Sequence, residues 1–229
     1  MKELFDSILI DMVSLPFTIF YVLTSPNKVL TAEPNSLIST AGGTLFVSFI
    51  IYYLCFVIGT KIKLGANLPF EPEKSLVVGW FVIVIILLLV QYLAILICSV
   101  VPVQQVAPIK TIKALSYPVS VAWTVYGLVY LSYLLFPIGS KRISFQERLS
   151  PSFRETLKES GDTKRVIKLE NAEFLAAVFG ILAYILALYN IIRVLFGLDF
   201  IKTIFPTIVL IFSSLLLLFL LLFILSRIE

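Results

Sequence analysis

Histidine, the side chain best suited to moving protons near neutral pH, is absent from all 229 residues. That excludes His-ligated haem, His-based zinc sites and Ser-His-Asp chemistry. Serines are plentiful but have no imidazole to activate them. A Ser-Lys pair would need a lysine inside an apolar run, and none of the lysines lies there. The carboxylates sit almost entirely in tails and loops, where two of them could not share a closed cavity. Cys55 and Cys98 fall in different apolar runs, outside any CxxC spacing, and read as small packing residues. No phosphate-binding loop, dinucleotide fingerprint or calcium loop is present. A proton or ion path usually carries an ionisable group at mid-depth. Here the nearest substitute is Gln91, which reads as a residue that hydrogen-bonds between helices. The expectation is a protein that is not an enzyme and has no cofactor or metal.

What remains are residues that could recognise or pack. Trp123, Tyr126, Tyr130 and Tyr133 recur at helical spacing, beside a small polar edge of Ser116, Ser120, Thr124 and Gly127. This stripe either packs inside the chain or forms a groove for a lipid or partner. Ala172, Ala176, Gly180, Ala183 and Ala187 form a line of small residues that lets another helix approach closely. In the polar stretch 139–171, Phe145, Leu149, Phe153 and Leu157 repeat every four residues. Ser152 and Glu155 fit a capping box, and Gly161 is a natural stop. A basic amphipathic helix on the membrane surface fits this pattern, with Arg148, Arg154 and Lys158 as contacts to lipid or partner. A solvated connector is the alternative.

The elements that must position these residues are apolar. Hydrophobic residues make up 59% of the chain and charged ones 14%, and the mean hydropathy is +1.03. Soluble domains carry roughly 25% charge. The net charge of +4 sits in loops, where anionic lipid headgroups account for it better than nucleic acid. The fold class expected is an all-α membrane protein, a polytopic helical bundle of five transmembrane helices. The runs are 41–58, 76–101, 115–138, 172–192 and 203–225. An N-terminal amphipathic helix over residues 1–23 would lie in the interface, kinked at Pro16, since acidic residues interrupt it and no cleavage site follows. Ser25-Pro26 predicts a short helix to about residue 32. Four regions follow: an interfacial segment 1–40, three spans in 41–138, the basic loop 139–171 and a transmembrane hairpin 172–229.

Three places resemble the Yip family, the Ypt-interacting, five-span membrane proteins. Pro16-Phe17-Thr18-Ile19-Phe20-Tyr21-Val22-Leu23-Thr24-Ser25-Pro26 is similar to its N-terminal interfacial segment. Ile112-Lys113-Ala114-Leu115-Ser116-Tyr117-Pro118 resembles its Tyr/Pro entry into the third span, and a tight hairpin turns through Arg193–Lys202. The resemblance implies a non-enzymatic membrane scaffold or adaptor, tied in eukaryotes to small-GTPase membranes and vesicle traffic. Its partners would be the lipid bilayer and a membrane protein or a second copy of the chain. The alternative class is a transport component, a small permease or the membrane subunit of a transporter, which discontinuous helices and mid-membrane polar groups would favour.

With five spans, Lys2, Lys28, Lys110, Lys113, Arg193 and Lys202 share one side, six basic residues. The other side holds twelve: Lys61, Lys63, Lys74, eight in loop 139–171, and Arg227. The positive-inside rule therefore puts loop 139–171 and the C-terminus in the cytoplasm. The family resemblance implies the reverse, a cytoplasmic N-terminus. Charge is preferred, because each basic side chain near anionic lipid is stabilised by about 1 kcal/mol.

Overall fold

The computed structural model describes residues 2–31, 40–64, 74–97, 107–136 and 163–228. Among these there is no strand. They form α1 (Lys2–Thr24), α2 (Pro26–Leu30), α3 (Ala41–Leu64), α4 (Lys74–Ile97), α5 (Pro108–Leu135), α6 (Thr163–Leu195) and α7 (Phe200–Ile228). Three stretches of helix are long and apolar enough to cross a membrane: Ala41–Thr60, Pro108–Leu135 and Lys168–Leu195. Shorter apolar helical stretches cover Leu9–Thr24, Val84–Leu96 and Phe200–Leu216. The protein is a helical membrane protein by these measures.

The apolar runs become helices because a buried or lipid-bathed backbone must satisfy its own N–H and C=O groups. Their ends differ from the runs in informative ways. α5 starts seven residues before Leu115, at Pro108, whose missing N–H costs nothing in a first turn; Thr111 N closes that turn on the Ala107 carbonyl at 3.0 Å. α6 starts at Thr163, inside the polar stretch. Its entry is secured by Leu169, which is buried, and by Lys168 Nζ, which donates to the Phe136 carbonyl at 3.1 Å. The short helix expected near 152–159, with Arg148, Arg154 and Lys158, lies outside the described residues. α1 runs as one helix with Pro16 inside it. α6 closes on Gly197, with a φ of +60°: Leu198 N bonds the Arg193 carbonyl at 2.9 Å and Gly197 N the Val194 carbonyl at 3.3 Å. That left-handed closure is what glycine permits without strain.

The chain divides into two compact units. The first combines residues 1–47, 72–120 and 184–229. In it α4 packs on α7 and α1 on α2. Leu15, Val22, Leu88, Leu115, Leu188, Ile191 and Leu210 are buried. Over Leu9–Thr24 the outward face of α1 is apolar (Leu9, Ile10, Met12, Val13, Phe17, Phe20), whereas Ser14 and Thr18 are buried. Ser14 and Thr18 thus face the protein, opposite to a helix that shows such residues to water. The second unit combines residues 48–71 and 121–183. Its core joins Tyr130, Tyr133 and Leu134 of α5 to Leu169, Ala172 and Ala176 of α6.

Candidate functional site

In the second unit the aromatic stripe meets a matching one on α3. Phe49, Tyr52 and Phe56 recur at steps of three and four, so they share one face of α3. The Phe49 and Trp123 rings lie 5.1 Å apart, Tyr52 and Tyr126 5.3 Å, and Phe56 and Tyr130 5.3 Å. Those spacings are in the range where tilted and edge-to-face rings attract beyond their buried area. The buried Tyr130 hydroxyl pairs with the Thr60 hydroxyl at 2.9 Å.

Glycines allow this approach. A Cβ on Gly127 would stand 2.9 Å from Tyr52 Cα and 3.3 Å from Cys55 Cβ. A Cβ on Gly59 would stand 2.9 Å from Leu134 Cδ1. Of the small-residue line, Ala172 and Ala176 are buried in the second unit, Ala183 is half-buried, and Ala187 is buried in the first unit. Gly180 lies close enough that its Cβ would touch the Ala122 carbonyl and Tyr126 Cβ, both at 3.4 Å. Trp123 and Tyr126 are half-buried, while Tyr130 and Tyr133 are buried. An apolar cavity of about 300 Å³ beside Tyr133 is lined by Leu128, Val129, Phe136, Leu175 and Phe179.

In the first unit the one strongly polar side chain of the second apolar run ties three helices. Gln91 of α4 is fully buried. Its Nε2 donates to the Tyr184 hydroxyl of α6, and to Ser214 Oγ of α7 at 2.9 Å. Its Oε1 has no hydrogen-bond partner among the described residues. A second tether joins α6 to α1, where Asn190 Nδ2 donates to the Leu23 carbonyl at 2.8 Å. Other hydroxyls turn back on their own helices: Thr18 to Ser14, Ser120 to Ser116 and Thr207 to Thr203, all through backbone carbonyls.

Thr60, Tyr184, Asn190 and Ser214 did not stand out in the sequence. The available signal was polarity inside an apolar run, where an unpaired hydroxyl or amide costs several kcal/mol and so calls for a partner. Cys55 is buried as a free thiol. Among the described residues no three His, Cys, Asp or Glu side chains gather as a metal-binding group. Compared with models of protein families, with curated proteins and with solved structures, the chain finds no match.

Proposed function

We propose that this chain is a non-enzymatic membrane scaffold or adaptor of Yip-like type, holding membrane partners through its outer helix faces and the basic loop 139–171. The observation that carries this reading is where the polar groups of the apolar helices are spent. Gln91 bonds Tyr184 and Ser214, Tyr130 bonds Thr60, and Asn190 bonds the Leu23 carbonyl. A permease needs such groups facing a path for its solute; here they join helix to helix.

In this reading α3 to α7 each cross the bilayer. α4 has 24 residues and α7 has 29, lengths of about 36 Å and 43 Å at 1.5 Å per residue, against roughly 30 Å of hydrocarbon. With five crossings, the start of α3 and the end of α6 lie on one side. α1 touches both: the Asp11 carboxylate fills the space beside Gly43, and the Leu23 carbonyl meets Asn190. Those two residues of α1 are about 18 Å apart along the helix. This favours α1 slanting along the bundle at that level, its apolar flank in the acyl boundary, and not crossing. Loop 139–171 and the C-terminus would be cytoplasmic by their basic residues.

The test is purification of the full chain from its own membranes in mild detergent. The reading expects a membrane protein held in fixed ratio, lost when Arg148, Arg154 and Lys158 are all changed to Ala. Gradient-driven solute uptake into proteoliposomes, abolished by Gln91→Leu, would overturn it in favour of a transporter.

A further inference from the structure

The first unit holds a cleft of about 490 Å³ where two helix ends meet. α1 stops at Thr24 and the chain turns through Ser25 into α2. α6 stops at Leu195 and turns on Gly197. The Asn190–Leu23 bond pins these ends together, and Ser25, Asn27, Asn190 and Arg193 line the gap between them.

Charge decides what fits there. Arg193 is exposed, and its side chain has no ion pair or hydrogen bond among the described residues. Asp199, the nearest acid in sequence, is engaged by Lys202 at 3.2 Å. The end of α6 contributes a partial negative charge of about half a unit. Its last carbonyls, however, already accept bonds from Phe196, Gly197 and Leu198 N–H groups. A full guanidinium charge with five donors therefore dominates, and its planar fork suits a phosphate.

Position names the kind of phosphate. Arg193 lies two residues before the end of the apolar stretch Lys168–Leu195, the depth at which headgroups sit. Thr24, on the cleft wall, is one turn beyond Phe20 on the same exposed side of α1. From there Phe20, Phe17 and Val13 continue as an apolar track. A polar, cationic cleft opening onto an apolar track matches a molecule with an anionic head and hydrocarbon tails.

We propose that this cleft binds the phosphate of an anionic phospholipid through Arg193, with Ser25 and Asn27 as further donors and the acyl chains along α1. The proposal goes beyond the scaffold reading and holds whether or not the chain recruits a protein partner. The test is native mass spectrometry of the full chain in detergent, titrated with dioleoylphosphatidylglycerol, dioleoylphosphatidylcholine or inorganic phosphate. The expected result is retention of phosphatidylglycerol, about tenfold weaker in Arg193→Gln. Lys202→Gln, on the same return but paired with Asp199, should retain lipid as the parent does. Arg193 is exposed, so its variant should elute and melt as the parent. Equal retention of phosphatidylcholine would overturn the anionic preference, and displacement by inorganic phosphate at equal concentration would assign the site to a free anion. Equal loss in Arg193→Gln and Lys202→Gln would reduce the binding to diffuse charge, and unchanged retention in Arg193→Gln would remove the site.

Discussion

Gly127→Ala should loosen the contact between α3 and α5 more than its single added methyl suggests. The new Cβ would stand 2.9 Å from Tyr52 Cα. Carbon atoms sit comfortably at about 3.5–4.0 Å, so the backbones must part by roughly 0.6 Å or more. No rotamer change relieves this, because the obstruction is main chain. Parting the helices also loosens the ring pairs on either side, Phe49 with Trp123 and Phe56 with Tyr130. A gap of that size forfeits a quarter to a half of each contact's dispersion well. Overpacking of this kind costs about 1–3 kcal/mol. Replacing glycine within a helix returns up to about 1 kcal/mol of backbone entropy, which would mask part of the effect. Gly42→Ala supplies the control: it is also helical, and nothing lies within 4 Å of its new Cβ. The difference between the two variants isolates the steric term, about 1–3 kcal/mol. At about 2–4 °C per kcal/mol for a chain of this size, Gly127→Ala should melt roughly 2–12 °C below Gly42→Ala. The assay is thermal unfolding of both purified variants in one detergent, followed by soluble monodisperse protein. Melting within 1 °C of each other would refute the close approach of Gly127 to Tyr52.

Two further predictions concern the same unit. Gly180→Ala should be tolerated, since its Cβ reaches ordinary contact at 3.4 Å, whereas Gly180→Leu should cost about 1–3 kcal/mol; equal stability of the two would put Gly180 against lipid. For the Thr60–Tyr130 hydroxyl pair, Thr60→Val and Tyr130→Phe each remove the same bond, so the double variant should be no less stable than the worse single one, with a coupling of about 0.5–1.5 kcal/mol in a denaturant series; additive losses would refute the bond.

Local features of the fold were legible in the sequence, and its pairings were not. Long uncharged runs compel helices because lipid offers the backbone no partners, and α3 does begin at Ala41. Ser25-Pro26 starts α2 with Pro26 in the first turn. The extra turns of α6 were hidden because its first residues are polar; the contacts of Lys168 with Phe136 and of Leu169 with the α5 core follow directly after them. Pro16 reads as a kink inside a continuous helix, and α1 does run through it, since a helix backed by its neighbours can absorb one missing donor. The polar ties join residues 70, 93 and 167 positions apart. Spacing on one helix shows which residues share a face. It carries no information on which face of another helix they meet, so Gln91 could be recognised as needing a partner without Tyr184 being recognisable as that partner.

The sign of the amphipathic pattern also depends on the solvent, and three helices here bear this out. In water the buried face of a helix is its large apolar face. On α1 the buried residues include Ser14 and Thr18, while Phe17 and Phe20 are exposed. On α6 Ala172, Ala176 and Ala187 are buried along with Leu169, Leu188, Ile191 and Ile192, and Val178, Phe179, Ile181, Leu182 and Leu186 are exposed. On α7 Thr203, Thr207 and Leu210 are buried, and Phe205, Ile208, Phe212, Leu215 and Leu216 are exposed. In water such a surface would collapse or aggregate. In lipid it costs nothing, because acyl chains are as apolar as leucine, so association selects instead for small side chains and hydroxyls that let backbones close up. Size and hydroxyl placement therefore mark the inner face where hydrophobicity cannot. The same rule makes a charged side chain at a helix end without a partner among the described residues, such as Arg193, the group on which a lipid-binding test is best placed.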